Sequence, residues 1–352
     1  MAPVAHALAA RGVCTALIFT GQHPQLDPGD FGLDLCPQTR LGCAGEEDPH
    51  AHVCKVTAAL LPVLTQRPDL LMVQGDTSSA LGAALAGFAA NIPVAHVEAG
   101  LRSHDPRLPW PEEEYRTAID RGAALLFAPT EISAANLRRE NVGGEIHVTG
   151  NSGIDALLAA EARLPPASVR DRGAPILLVT CHRRESWSEG LQSIAAALVE
   201  LGRERIHIDV VLHPNRHVAQ RMTGLLGGAE GISLIPPCTH HELLVRMRDA
   251  DLILSDSGGI QEEAPALGVP LLVLREKTER PEGVTSGNMR LVGTSTEVIV
   301  AEARRLLGNP GELFAMSRRA FPYGDGHAAP RIAAIAEHWL ELKHAARTQR
   351  IA

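Results

Sequence analysis

Residues 252–274, LILSDSGGIQEEAPALGVPLLVL, read in succession as strand, turn, helix and strand. Leu252–Ser255 and Pro270–Leu274 are short runs, almost wholly apolar and without polar alternation. That is the pattern of strands buried on both faces of a parallel sheet. Between them the chain turns at Asp256-Ser257-Gly258-Gly259 and enters a helix. Two parallel strands need such a crossover, and its hand is almost always right-handed.

The same unit recurs in both directions. Upstream in the second half lie Ile176–Thr180, Ile208–Leu212 and Ile232–Ile235. In the first half the runs are Val13–Thr20, Leu70–Gln74, Pro93–Val97, Ala124–Ala128 and Ile146–Thr149. Segments such as Ser78–Ala90, Glu131–Glu140 and Ser188–Leu201 between them have helical spacing. Alternating β and α elements predict an α/β protein with parallel sheets. The pattern restarts near residue 155, and 161–175, EARLPPASVRDRGAP, has the composition of a linker. The expected organisation is two Rossmann-like domains facing a cleft, residues 1–154 and 155–327. The terminal helix, placed at Ala328–Ala346, is expected to pack with the rest of 328–352 back on the first domain.

The chain opens with a helix, Pro3–Ala10, where a doubly wound sheet opens with a strand that takes a central place. Without that strand, two ladders of backbone donors and acceptors lack partners. The expectation is that the first β-strand of the N-terminal domain is missing and that Met1 is internal to a longer natural chain. The alternative is a true start with a reordered sheet.

A length of 352 residues exceeds one ordinary core. Apolar residues make up 45% and charged residues 21%, ordinary for a globular protein. Net charge is −8, from 41 acidic and 33 basic residues, which argues against a nucleic-acid binder with a basic face. The six cysteines, at 14, 36, 43, 54, 181 and 238, contain no C-x-x-C pair. Zinc and redox dithiols therefore have little support, and a reduced cytoplasmic protein is expected. No apolar run reaches the roughly 18 residues of a membrane span. No signal peptide is read at the N-terminus.

Several strand ends carry residues that suit chemistry. Ser257, Gly258 and Gly259 open a helix whose free N–H groups and positive dipole end suit a phosphate, and Ser257 adds a hydroxyl. Glu263 lies further into that helix, where it suits ribose hydroxyls. The plainer reading is a glycine-containing turn beside exposed acids. Asp76, in Gln74-Gly75-Asp76-Thr77-Ser78, is either a helix N-cap or a ligand group. Glu98 ends the next strand in His96-Val97-Glu98-Ala99-Gly100-Leu101-Arg102, so the two carboxylates should emerge side by side. Like charges so placed repel unless they bind something or share a proton. Glu112 and Arg116 share a helix face at i,i+4 spacing, as a surface ion pair or as site residues. His182, Arg183 and Arg184 close a strand and suit a pyrophosphate clamp. His213 closes the neighbouring strand.

Together these segments resemble the non-hydrolysing UDP-N-acetylglucosamine 2-epimerases. The matching strings are Gly21-Gln22-His23, QGDTSSALGAALA at 74–86, HVEAGLRS at 96–103, PEEEYR at 111–116, VTCHRRES at 179–186 and HPN at 213–215. SDSGGIQEEAPALGVPLLVLREKTERPEGV at 255–284 and PYGDGHAAPRI at 322–332 complete a likeness that spans nearly the whole chain. The resemblance implies a glycosyltransferase-B-like fold, interconversion of UDP-GlcNAc and UDP-ManNAc, supply of cell-surface polysaccharide precursors, and a homodimer. It implies acid/base and sugar-binding roles for Asp76, Glu98 and Glu112, a partner arginine at Arg116 and an active-site histidine at His182. Ser257 and Glu263 would bind UDP. Some bacterial relatives bind a second UDP-GlcNAc as activator, at positions matching Gln22, Gln25, Arg183 and His213. The family opens with a strand, a G-T-R-P-E turn and a lysine, all absent here; the functional expectation is therefore for a full-length protein.

The chemistry fits the residue types. The C2 hydrogen of the sugar is not beside a carbonyl. Breaking the C1–O bond to UDP first acidifies it, and 2-acetamidoglucal is the expected intermediate. Departing pyrophosphate needs cationic or N–H donors, and C2 needs acid/base groups at both faces. No cofactor or metal is required, and the Gly-x-Gly-x-x-Gly fingerprint is absent. The alternatives are a glycosyltransferase of the same fold, a hydrolysing 2-epimerase, and a non-catalytic nucleotide-sugar binder.

Overall fold

A computed structural model describes residues 1–22, 27–33, 36–165, 173–181 and 189–351. The chain divides into two compact units, Met1–Ala156 with Tyr323–Ala352, and Leu157–Pro322.

The first unit contains the strands β1 (Leu17–Phe19), β2 (Gln38–Arg40), β3 (Leu71–Gln74), β4 (Val94–Val97), β5 (Leu125–Ala128) and β6 (Glu145–Val148). β3 to β6 pair in sequence order, all parallel. β1 and β2 form a separate parallel pair. Side chains tie this pair to the helices and core beside it: Thr20 Oγ1, just past β1, lies 2.8 Å from Ser79 Oγ, and Ile18 packs on the core that holds Leu71 and Val73.

The alternation of β4 shows how this sheet is covered. Val94 faces the helices Pro49–Leu60 and Ser78–Ala89, in a cluster with Val53, Leu60 and Ala84. Ala95 and Val97 face the other way, against Val4 and Leu8 of the first helix and Ile332, Ala333 and Ala336 of the last. All four residues of β4 are buried, which is why the strand reads as a continuous run.

Helices 49–60 and 78–89 approach closely at Gly82. A Cβ there would stand 2.8 Å from Val56 Cβ and 2.9 Å from the Val53 carbonyl oxygen. Alanine favours helix by roughly 1 kcal/mol over glycine, but overpacking a tight contact costs about 1–3 kcal/mol. Gly82→Ala should therefore lower stability, read as a lower urea midpoint; a raised midpoint would show that the helices separate freely.

The second unit contains β7 (Ile176–Thr180), β8 (His207–Val211), β9 (Ile232–Ile235), β10 (Leu252–Ser255), β11 (Leu271–Val273) and β12 (Met289–Leu291). The order is β12-β11-β10-β7-β8-β9, parallel throughout. Leu177, Val179, Leu252, Leu254 and Leu272 pack against Leu191 and Leu198 of helix Glu189–Gly202 and Ile299 and Ala303 of helix Thr296–Leu307. Sequence order reverses between β7 and β10, and open α/β sheets hold ligands at the carboxyl ends of the strands beside such a switch point. Thr180 and Ser255 bridge those two ends, Oγ1 to Oγ, at 2.6 Å.

The structure departs from the expected elements in a few places. The first strand spans three residues, not Val13–Thr20, because Val13–Thr15 turn back from the first helix through Val13 N–H to the Leu8 carbonyl. β2 and β12, QTR and MRL, escape a search for apolar runs because both are short and carry polar residues. The final helix reaches Ile351, held by Arg347 and His344 against Asp69. Residues 166–172 of the expected linker lie outside the described residues; its first residue, Glu161, still belongs to helix Ser152–Glu161.

Candidate active site

In the first unit, β3 and β4 run in parallel register with Gln74 opposite Val97. Just beyond this pair the chain carries Gly75-Asp76 on one strand and Glu98 on the other. Gly75 takes a φ of +69°, and its N–H donates to the Val97 carbonyl at 3.1 Å. A Cβ on Gly75 would stand 3.6 Å from Glu98 Oε2, so the glutamate carboxylate lies over the glycine. Glu98 itself has a φ of 72°, and the N–H groups of Glu98 and Ala99 both donate to the Phe127 carbonyl. A non-glycine residue in this region stores of order 1–3 kcal/mol of strain, which tends to occur at functional sites.

Asp76 is not the N-cap of the helix that follows. Thr77 holds that position, accepting from Ala80 N at 3.1 Å. Asp76 Oδ2 instead accepts from Arg116, from Nε at 3.0 Å and from Nη2 more closely. Arg116 is 1% exposed and donates from Nη1 to Glu113 Oε2 at 2.7 Å. Glu113 also accepts from the backbone N–H groups of Ser103 and His104. Arg116 is thus fixed between a buried carboxylate and Asp76, whose side chain stays 25% exposed. Glu112 begins the same helix, Glu112–Gly122, with Glu113 and Glu114 in its first turn, where the dipole favours acids. The α-amino group of Met1 donates to Gln74 Oε1 at 2.7 Å; burial lowers its pKa, and the charge of Glu98 partly opposes that.

In the second unit, Ser257 N-caps helix Gly258–Leu267 but makes no side-chain capping bond. Its N–H is anchored on Ser255 Oγ at 3.0 Å. A Cβ on Gly258 would fall 2.8 Å from Arg280 Nη1, so the guanidinium packs on the first turn. Arg280 donates to Glu262 at 2.6 Å and to Glu279, which also pairs with Arg275 at 2.8 Å. These four alternating charges are buried together. Gly259 is exposed, and a Cβ there would meet only Ser257 Oγ, at 3.9 Å. Glu263 Oε1 lies 2.9 Å from His240 Nε2, and that bond raises the pKa of His240 against the effect of its burial.

Of the second-site positions, Gln22 accepts from Ser79 Oγ at 2.7 Å. His213 Nδ1 accepts from Asn215 N at 2.9 Å, which leaves Nε2 as the protonated nitrogen of the neutral ring. Gln25, His182 and Arg183 lie outside the described residues. In the first unit the structure brings Asp76, Glu98 and Arg116 to adjoining strand ends. In the second it groups Ser257, Gly258 and Gly259 at one helix start, with Glu263 further along the same helix.

Sequence reasoning missed Glu113, His96, Asp120, Arg280 and His240. A histidine inside the buried run Pro93–Val97 was a usable signal. Glu113, at i,i+3 from Arg116, was another; Asp120, Arg280 and His240 answer to partners that sequence spacing does not single out.

A family profile described as UDP-N-acetylglucosamine 2-epimerase matches residues 6–337. A UDP-N-acetylglucosamine 2-epimerase of Salmonella typhimurium is 41% identical over 350 residues, covering 94% of this chain and 93% of its own. The crystal structure of UDP-GlcNAc 2-epimerase from Neisseria meningitidis bound to UDP-GlcNAc matches with a TM-score of 0.91 and 34% identity, over 96% of each chain. The Methanocaldococcus jannaschii UDP-GlcNAc 2-epimerase in complex with UDP-GlcNAc and UDP matches with a TM-score of 0.85 and 32% identity, over 96% of this chain and 95% of its own. The shared fold class is α/β with parallel sheets, glycosyltransferase-B-like.

Proposed function

The chain belongs to the UDP-N-acetylglucosamine 2-epimerase family, and from that premise we propose that it interconverts UDP-GlcNAc and UDP-ManNAc by inverting C2. The observation that carries the reading is the pair of carboxylates, Asp76 and Glu98, at the ends of adjacent parallel strands, with Arg116 orienting Asp76.

The reaction begins with departure of UDP from C1. The start of helix Gly258–Leu267 offers N–H groups and a positive dipole end to the pyrophosphate, with Gly259 open to close approach, and in this reading Glu263 takes the ribose hydroxyls. Cleavage of C1–O gives C1 oxocarbenium character and acidifies C2–H. Asp76, Glu98 and Glu112 serve as the acids and bases that take this proton, giving the glycal and UDP, and return one to the opposite face of C2 as the UDP oxygen re-forms its bond to C1. Arg116 holds the Asp76 carboxylate so that little rearrangement is needed when the proton moves. His182 completes the pyrophosphate site in this reading.

Supply of ManNAc units for cell-surface polysaccharide, a cytoplasmic location and a homodimer belong to the same proposal. All six cysteines are free thiols, in keeping with a reducing compartment.

Incubation with UDP-GlcNAc alone in heavy water tests the reaction. Deuterium should enter at C2 of both nucleotide sugars, and a positional-isotope label in the UDP–C1 bridge should scramble as that bond breaks. No uptake without an added acceptor would favour glycosyl transfer, and accumulation of free ManNAc with UDP would favour the hydrolysing reaction.

A further inference from the structure

His96 sits in β4 and is fully buried. Its Nδ1 lies 2.6 Å from Asp120 Oδ1, and its Nε2 lies 2.9 Å from the Gly75 carbonyl oxygen. Neither a carboxylate nor a backbone carbonyl can donate a hydrogen bond in return. Both ring nitrogens must therefore carry protons, which makes the ring an imidazolium cation.

Asp120 is itself built in. Its Oδ2 accepts from Gly100 N at 3.1 Å and from Arg102 at 2.8 Å. Arg102 in turn forks onto Glu140, with both bonds at 2.7 Å. The chain of charges runs Glu140, Arg102, Asp120, His96, and it ends on the backbone of the β3 turn.

Gly75 is thereby held to β4 at both of its polar groups: its N–H on Val97 and its carbonyl on His96. Asp76 is the next residue along one strand, and Glu98 lies two residues past His96 on the other. We propose that His96 is a positioning residue for the epimerisation, a buried ring bonded at both nitrogens that ties the β3 turn to β4 and so fixes Asp76 relative to Glu98.

The groups that bear on the ring are Asp120 from helix 112–122, Glu98 from its own strand end, and Arg102 through Asp120; the Gly75 carbonyl faces it from β3. Burial alone would lower the pKa of His96. The charge and hydrogen bond of Asp120, the Gly75 carbonyl and Glu98 outweigh it and hold the value above the ordinary one. Asp120, despite its own burial, is held below the carboxylate range by His96 and Arg102. The sign follows: the stabilisation by His96 is complete below its unfolded pKa of about 6.5 and is lost as pH rises through the folded value.

This inference rests on the epimerase reading, so its test has two independent arms. The first is histidine 15N NMR at about pH 7.5, above the ordinary pKa. One ring should show both nitrogens protonated, and that signal should vanish in His96→Gln. A neutral His96 overturns the proposal whatever the reaction proves to be. The second is kinetics. Glutamine keeps one donor for the Gly75 carbonyl and alanine keeps none. With geometry as the lever, kcat should fall on the order of 10-fold in His96→Gln and 100-fold in His96→Ala, with KM for UDP-GlcNAc steady. An unchanged kcat in His96→Gln, or a rise in KM alone, overturns the positioning role. Absence of C2 deuterium uptake by the unmodified enzyme would instead sink the epimerase reading and leave the NMR result standing.

Discussion

Replacing Glu98 by glutamine should lower kcat for epimerisation by about 10²- to 10⁴-fold, the usual reach of a general acid or base. Glutamine keeps the shape of the side chain and removes the charge and the titrating proton. The backbone bonds that hold the 98–99 bend, both to the Phe127 carbonyl, do not involve the side chain. The fold should therefore persist, with a urea midpoint close to that of the parent. The positive φ of Glu98 argues in the same direction, since such strain tends to be kept at functional sites. Deuterium entry at C2 should fall in parallel with kcat. A variant that exchanges C2–H at the parental rate would remove Glu98 from the chemistry and leave Asp76 and Glu112 to account for it.

The largest stability effect is expected at Arg116. Methionine there would fill much of the volume but leave Glu113, 6% exposed, and Asp76 without their cation. Breaking a buried ion pair by removing one partner costs about 3–5 kcal/mol, because the remaining charge is stranded. Glu113 keeps its bonds to the Ser103 and His104 N–H groups, so the lower part of that range is the better expectation. Lysine restores the charge but not the planar fork that reaches two carboxylates at once, and should recover only part of the loss. The Arg138–Glu131 pair supplies the contrast. Its side chains are 57% and 76% exposed, and its removal should change stability by under about 1 kcal/mol. Urea unfolding of the three variants, followed on the first unit, distinguishes them. A loss for Arg116→Met no larger than for the exposed pair would mean that water reaches the site freely.

These two residues also mark where sequence reading works and where it stops. LLFA at 125–128 and LILS at 252–255 are legible as strands because both faces are buried and the runs are apolar but for the closing Ser255. QTR at 38–40 is not, since a short polar edge strand has the composition of a loop. The Ser257 turn is legible because a strand, two glycines and a helix leave few other conformations. Asp76 reads equally as cap or ligand; Gln74-Gly75-Asp76-Thr77-Ser78 offers three cap-forming residues in a row, and the Thr77 hydroxyl is the one that accepts from Ala80 N. Arg116 donates to Glu113, three residues back, where i,i+4 spacing pointed to Glu112. The His96–Asp120 pair spans a strand and a helix 24 residues apart, and the Arg280–Glu262 pair spans 18. Such bonds depend on which face each element turns inward, and periodicity constrains that only to within a residue.

The first unit is assembled from both ends of the chain. Ile332, Ala333, Ala336 and Trp339 cover β4 and β5, and Asp155 accepts from the Ala328 and Ala329 N–H groups at the start of that helix. A ribosome delivers the strands of this unit first and the helix that seals them last. The intervening unit, contiguous from 157 to 322, is complete in sequence before its predecessor can close. A nascent chain therefore carries an open apolar sheet face until residues 329–339 emerge, and loss of that helix would be felt in the half of the molecule made earliest.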